Sequence, residues 1–204
     1  MVDAAQGAGH ANITLDGDNI DLLCLPGHKG LYAPQGAGAL ILRDSLTLDT
    51  LIEGGNGVNS LDTSMGYVSP ERYEGGTLCT PAIVGICEGV KFIQEIGIER
   101  ITAHERALWR RAYIALCNAG NVEFYGDTSA GSILLFNVKG TPSDDLGAYL
   151  AEHGFCLRTG YHCSPLAHKT LGTPEGGAVR MSFSVFNTEG DVDKVCSKIA
   201  EYTN

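Results

Sequence analysis

The chain has 204 residues, 44 % hydrophobic and 19 % charged, an ordinary globular composition that is long enough for one large domain or two small ones with real cores. Its formal net charge of −10 argues against a general affinity for nucleic acid or for an anionic membrane surface. No run approaches the length of a membrane span. The opening Met1-Val2-Asp3-Ala4-Ala5-Gln6 shows no basic stretch followed by an apolar one, so a cytoplasmic setting is expected.

Taken in chain order, Val2-Asp3 reads as the end of a strand, and Leu22 to Leu25 and Gly38 to Leu42 read as two more. Between the latter two stands Gly27-His28-Lys29-Gly30. At the mouth of an apolar run, beside an imidazole, an amine is expected to lose water and favour its neutral, nucleophilic form. Ile83 to Ile96 repeats apolar side chains at three- and four-residue steps and predicts a helix, with Thr80 as its cap, Pro81 at its first position and Gly97 at its end. Ile101 to Cys117 predicts a second, more charged helix. Val122 to Tyr125 and Ser132 to Val138 predict strands joined through a turn at Gly126-Asp127. A helix capped by Ser143 runs to His153, Gly154 stops it, and Phe155 to Leu157 begins a strand. Ala178 to Phe183 is another strand. The last helix opens at Thr188 and carries Val192, Val195, Cys196 and Ile199 on one face. The alternation predicts an α/β fold that divides into residues 1–97 and an α+β part, residues 98–204. A strand end so close to the first residue leads to the expectation that the chain is the later part of something longer.

The seven cysteines, at 24, 79, 87, 117, 156, 163 and 196, contain no C-x-x-C pair, so a zinc ribbon, a redox pair or another metal site is not expected. Reduced thiols packed as small core residues are the default reading. Cys163 is the exception, because Arg158 and His162 are near it in sequence and cations favour a thiolate. His168 and His104 read as surface or helix-packing residues.

Four ordered stretches together resemble one family. They are Asp3-Ala4-Ala5-Gln6; Gly27-His28-Lys29-Gly30 with Pro34-Gln35-Gly36; Arg72-Tyr73-Glu74-Gly75-Gly76-Thr77; and Arg158-Thr159-Gly160-Tyr161-His162-Cys163. They resemble the class V aminotransferases, and among these the second group of cysteine desulfurases. The resemblance implies a fold-type I pyridoxal-phosphate enzyme, here a partial large domain plus the small C-terminal domain. It implies that Lys29 joins covalently to the cofactor, that Asp3 pairs with the pyridinium nitrogen, that Gln6 bonds the ring hydroxyl, and that His28 contacts the phosphate. Thr77 would reach the phosphate of a partner subunit in a homodimer. Arg180 would hold the substrate carboxylate and Arg158 would line the entrance. Cys163, with His162 beside it as a second catalytic residue, would take sulfur from L-cysteine as a persulfide and pass it to an acceptor protein. Lys29 and Cys163 would then serve one pocket. Pro26 and Tyr161 depart from the family pattern, where a hydroxyl residue and a histidine are common. Selenocysteine lyase chemistry, or an inert fragment or dimerisation module, are the alternatives the same residues leave open.

Overall fold

A computed structural model describes residues 1–58, 60–127 and 131–203. The chain divides into two compact units, Met1–Ile98 and Glu99–Asn204.

The first unit is built on a three-stranded sheet in the order β1-β2-β3. β1 (Val2–Asp3) runs parallel to β2 (Leu22–Pro26), with Asp3 opposite Cys24. β2 runs antiparallel to β3 (Gly38–Leu42), in register from Leu22 opposite Leu42 to Pro26 opposite Gly38. Proline has no N–H to give a ladder, and Pro26 accordingly sits at the last rung. A small core of Ala4, Ile20 and Leu23 lies under this sheet, with Val2, Ile13, Leu15 and Leu25 packed on it. After a 3₁₀ turn at Glu71–Tyr73 comes α1 (Thr80–Ile96), which buries Ala82, Gly89 and Ile93. The expected cap is displaced by one residue. Cys79 precedes the helix without a side-chain hydrogen bond, and Thr80 is already helical. Pro81 therefore falls in the second helical position, where a missing N–H still leaves no bond unmade. Gly97 closes the helix as read, its N–H donating to Ile93 O at 2.8 Å.

The second unit contains α2 (Ile98–Ala119, all but its first residue), β4 (Val122–Tyr125), β5 (Ile133–Val138), α3 (Ser143–Glu152), α4 (Pro165–Leu171), β6 (Val179–Ser182) and α5 (Glu189–Thr203). The three strands form an antiparallel sheet in the order β4-β5-β6. Successive strand residues face opposite sides. Leu134, Phe136, Val138, Val179 and Met181 therefore share one face. They pack there with Leu108, Ala112 and Leu116 of α2, Leu146 and Leu150 of α3, and Val192, Val195, Cys196 and Ile199 of α5. Trp109 closes one side of this core and donates its Nε1–H to Ile133 O at 3.0 Å. Arg180, between Val179 and Met181, is left on the other face of the sheet.

Several readings change here. Ser143 does not cap α3; its hydroxyl donates to Gly176 O at 2.9 Å, and Pro142 stands before the helix. Residues 155–157 form no strand, since the chain meets β6 only at the bridge of Arg158 with Arg180. α4, which the sequence pattern does not announce, fills part of the interval before β6. The cysteines are mostly not core residues: Cys79, Cys87, Cys117, Cys156 and Cys163 are exposed, and Cys196 alone of the seven is buried. The run 128–130, which follows the expected turn at Gly126-Asp127, lies outside the described residues.

Candidate active site

In the first unit a tight loop follows β2. Gly27 N donates to Ala37 O at 3.0 Å, Ala33 N to Gly27 O at 3.0 Å, and Tyr32 N to Lys29 O at 2.9 Å. These bonds close the backbone on itself and turn His28 and Lys29 outward. Gly30 lets this loop touch the one after β1: a Cβ at position 30 would lie 2.1 Å from Ala8 O. The two loops leave the same end of two parallel strands, the end where open α/β sheets form their clefts. Asp3, His28 and Lys29 there line one open concavity of about 700 Å³, together with Cys24, Gly36 and Gly38. Asp3 Oδ1 accepts from Ala5 N at 2.8 Å, which orients the carboxylate at the strand end. Gln6 is exposed in the turn after β1, outside that lining. Lys29 and His28 are exposed, so the burial expected for the amine is not met within this chain.

A carboxylate, an imidazole and an amine around one concavity form a donor set suited to a ring that carries a cationic nitrogen, an anionic group and an aldehyde. The residues present fit pyridoxal phosphate.

Thr77 is exposed three residues before α1. The stretch before it is clamped. Arg72 donates from Nη1 to Gly66 O at 3.0 Å and lies over the rings of Tyr67 and Tyr73, 5.8 and 5.9 Å from their centroids. The Tyr73 hydroxyl accepts from Leu48 N at 2.9 Å.

The second unit gathers Arg158, His162, Cys163 and Arg180. Arg158 and Arg180 are held opposite one another by two backbone bonds, Arg180 N to Arg158 O at 2.7 Å and Arg158 N to Arg180 O at 3.2 Å. Side chains opposite one another on paired strands share a face, and the Arg158 charge is felt at Arg180. Burial, and next the Arg158 cation, lower the Arg180 guanidinium from its usual value, while Cys163 opposes the drop. Arginine nonetheless stays charged. Arg180 Nε is buried without a hydrogen-bond partner among the described residues.

Cys163 follows on a strained turn. His162 and Cys163 are both left-handed, at φ 52° and 61°, a conformation uncommon outside glycine. The turn is closed by Ser164 N donating to Tyr161 O at 2.8 Å. The Cys163 side chain is exposed. His162 lies with Nε2 3.2 Å from Arg158 O and Nδ1 3.0 Å from His168 Nε2. Burial lowers the His162 imidazole from its ordinary value. The contact with Arg158 O opposes this, and Arg180, His168 and Arg158 add to the fall. The neutral form of the His162 ring is thereby favoured.

His168 is the residue the sequence reading missed. It is only 4 % exposed, not a surface side chain, and it lies on α4 with its Nδ1 3.0 Å from Thr173 Oγ1. Its signal in the sequence was faint: a histidine six positions from His162, inside an unrecognised helix. His104 behaves as read, packing its helix through a 2.9 Å contact of Nε2 with Asn187 O. Among the described residues no group of three or more His, Cys, Asp or Glu side chains is placed to hold a metal ion. No described helix is long and apolar enough to cross a membrane.

The expected site residues thus form two local groups, Asp3, His28 and Lys29 in the first unit and Arg158, His162, Cys163 and Arg180 in the second, with Gln6 and Thr77 in neither. Comparison with known proteins gives the same ordered pattern a family. Residues 1–195 match the family model described as Aminotransferase class-V. A probable cysteine desulfurase of Methanothermobacter thermautotrophicus is 33 % identical over 210 residues, covering 98 % of this chain and 52 % of the relative. A solved cysteine desulfurase of Thermococcus onnurineus superposes with a TM-score of 0.89 at 31 % identity, over 99 % of this chain and 52 % of that one. The cysteine desulfurase CsdA of Escherichia coli superposes with a TM-score of 0.88 at 28 % identity, over 98 % and 50 %. The chain spans about half the length of the curated relatives it matches.

Proposed function

The chain belongs to the class V aminotransferase family, and on that premise we propose that it supplies the lysine-bearing and sulfur-accepting parts of a pyridoxal-phosphate-dependent cysteine desulfurase. The observation that carries the reading is an exposed thiol, on a left-handed turn, whose charge, like that of the bridged Arg158, is felt at Arg180. Such a cluster favours anions, which here are a thiolate at Cys163 and the carboxylate of an amino-acid substrate.

In this proposal residues 1–97 are the end of the cofactor domain and residues 98–204 the small domain. Lys29 would hold the cofactor covalently, Asp3 would pair with its ring nitrogen and His28 would contact its phosphate, while Gln6, in the turn after β1, would bond its hydroxyl. Thr77 contacts the phosphate of a second subunit, so a homodimer completes the site. Bound pyridoxal phosphate supplies an electron sink for carbanion character at the substrate carbons. Arg180 grips the substrate carboxylate with its planar fork, and Arg158 guides the substrate inward. Cys163 Sγ, as thiolate, forms a bond to the substrate sulfur while the carbon–sulfur bond breaks. The carbon keeps that electron pair and takes a proton, giving L-alanine, and Cys163 is left as a persulfide for transfer to an acceptor protein. His162 borders the acceptor sulfur from the preceding position.

The test has two arms. Pyridoxal phosphate is added to the chain, the adduct is reduced with borohydride, and the peptides are mapped by mass spectrometry. The expected label is on Lys29, and a label of equal yield in Lys29→Ala would overturn that assignment. In the second arm the pyridoxal-phosphate-loaded enzyme receives ³⁵S-cysteine and is analysed without reductant. Sulfur is expected on Cys163 and absent in Cys163→Ser. Sulfur retained by that variant would overturn the sulfur-acceptor role.

A further inference from the structure

The proton positions around His162 follow by elimination. A backbone carbonyl oxygen can only accept, so His162 Nε2, 3.2 Å from Arg158 O, carries a hydrogen. The neutral ring is the favoured form, because burial and the guanidiniums of Arg180 and Arg158 disfavour the cation. A neutral imidazole with its hydrogen on Nε2 has its one lone pair on Nδ1. That nitrogen lies 3.0 Å from His168 Nε2, which must therefore be the donor. His168 Nδ1 is left to accept from the Thr173 hydroxyl at 3.0 Å, in preference to the His168 carbonyl oxygen, which lies farther from that hydroxyl at 3.5 Å. His168 is fixed in this pose. It is 4 % exposed, the edge of its ring meets the Tyr161 ring at 5.5 Å between centroids, and its backbone N–H donates to Ser164 O at 3.2 Å.

We propose that His168 is a positioning residue for Cys163: hydrogen bonds running one way, from Thr173 to His168 to His162 to the Arg158 carbonyl, lock the left-handed His162–Cys163 turn beside the two guanidiniums. Both nitrogens of His162 are used inside the loop. No lone pair of that ring is free to take a proton from the substrate or from Cys163. His162 acts instead by keeping the Cys163 turn beside Arg158 and Arg180. The bearing of this on turnover rests on Cys163 being the sulfur acceptor. The hydrogen-bond chain itself does not, and its test needs no cofactor.

Long-range ¹H–¹⁵N correlation spectra of the ¹⁵N-histidine-labelled chain near neutral pH read the tautomers directly. His162 and His168 are both expected to carry a hydrogen on Nε2, with Nδ1 of His162 bare. A His162 that carries its hydrogen on Nδ1, or on both nitrogens, overturns the proposal. This measurement depends on no variant folding. The second measurement is the rate of iodoacetamide alkylation at Cys163, resolved by peptide mass spectrometry, as the ratio of the rate near neutral pH to that in alkali. His168→Leu removes the donor, and the ratio is expected to fall about fivefold, the factor that goes with one net hydrogen bond. His168→Gln keeps an N–H where His168 Nε2 stood and is expected to restore the ratio. Equal ratios in all three proteins, or a Gln variant that behaves as the Leu variant does, overturn the positioning role. Failure of sulfur transfer to Cys163 alongside the expected tautomers would instead count against the desulfurase reading alone.

Discussion

Gly177→Ala tests how the second unit builds its site. Gly177 has φ 77°, and an added Cβ would lie 2.3 Å from Gly160 O and 2.4 Å from Gly160 C. That opposing backbone is tied down, because Ala178 N donates to Gly160 O at 3.2 Å and Arg180 N to Arg158 O at 2.7 Å. Gly177 cannot retreat either. Its carbonyl accepts from buried Asn137 Nδ2 at 3.0 Å, while Gly176 is held by Ser143 Oγ at 2.9 Å and by the Tyr161 hydroxyl at 3.1 Å. The backbone angle alone costs an L-residue about 1–2 kcal/mol. Forcing atoms into packed space adds about 1–3 kcal/mol, so the expected loss is about 2–5 kcal/mol. Gly120→Ala is the control: its φ is 70°, but no heavy atom lies within 4 Å of the added Cβ. It should lose only the angular part, about 1–2 kcal/mol. Urea unfolding followed by Trp109 fluorescence measures both, since Trp109 is the one tryptophan of the chain and is buried in the second unit. Equal losses in the two variants would refute the close-approach argument.

Two more outcomes follow from the same unit. Phe136 is fully buried at the centre of the core, so Phe136→Ala should cost about 3–5 kcal/mol in the same urea assay, against a fraction of that for a surface change. Burial, helped by Asp193, pushes the Cys196 thiol from 9.0 up to about 12. Between those values the unfolded chain gives up this proton while the folded chain keeps it, so the unfolded state binds fewer protons and stability falls as pH rises through that window. Below it, both states are protonated and Cys196 contributes no slope. Cys196→Ala should flatten the alkaline fall in urea midpoint, and Cys196 should resist alkylation in the folded chain at a pH where exposed Cys163 reacts.

What the sequence showed of the fold was whatever depends on a few consecutive residues. β3 and β4 stand where alternation and β-prone side chains put them, Gly97 and Gly154 end helices, and Val192, Val195, Cys196 and Ile199 form the buried stripe of α5. Beyond the cap of α1, displaced by one residue, and the unannounced α4, the misreadings concern partners far along the chain. Ser143 is a good capping residue type, but its hydroxyl finds Gly176 O instead. Phe155 to Leu157 alternates like a strand, yet a strand needs a neighbour, and only Arg158 meets one. Cysteine burial was overestimated because a thiol's place on an outer or inner helix face is set by packing; Cys87 and Cys196 both lie in apolar helical patterns, and only Cys196 is buried.

The site divides the same way. Arg158, His162 and Cys163 were legible because they sit within one loop, and Asp3 and Lys29 because each closes a short strand motif. His168 was not, because its importance lies in its burial and in which ring nitrogen carries a proton, and neither is written in spacing. The pairing of Arg158 with Arg180 was equally hidden, and it explains most about the cluster. Like charges opposite one another on paired strands destabilise a sheet, and here burial and Arg158 together pull Arg180 below its usual value. A fold that merely needed a strand end would avoid that juxtaposition. An anion near the two guanidiniums offsets the repulsion, and the side chain that already opposes the fall at Arg180 is Cys163. The arrangement that is costly for stability is therefore one that favours an anion beside Arg158 and Arg180.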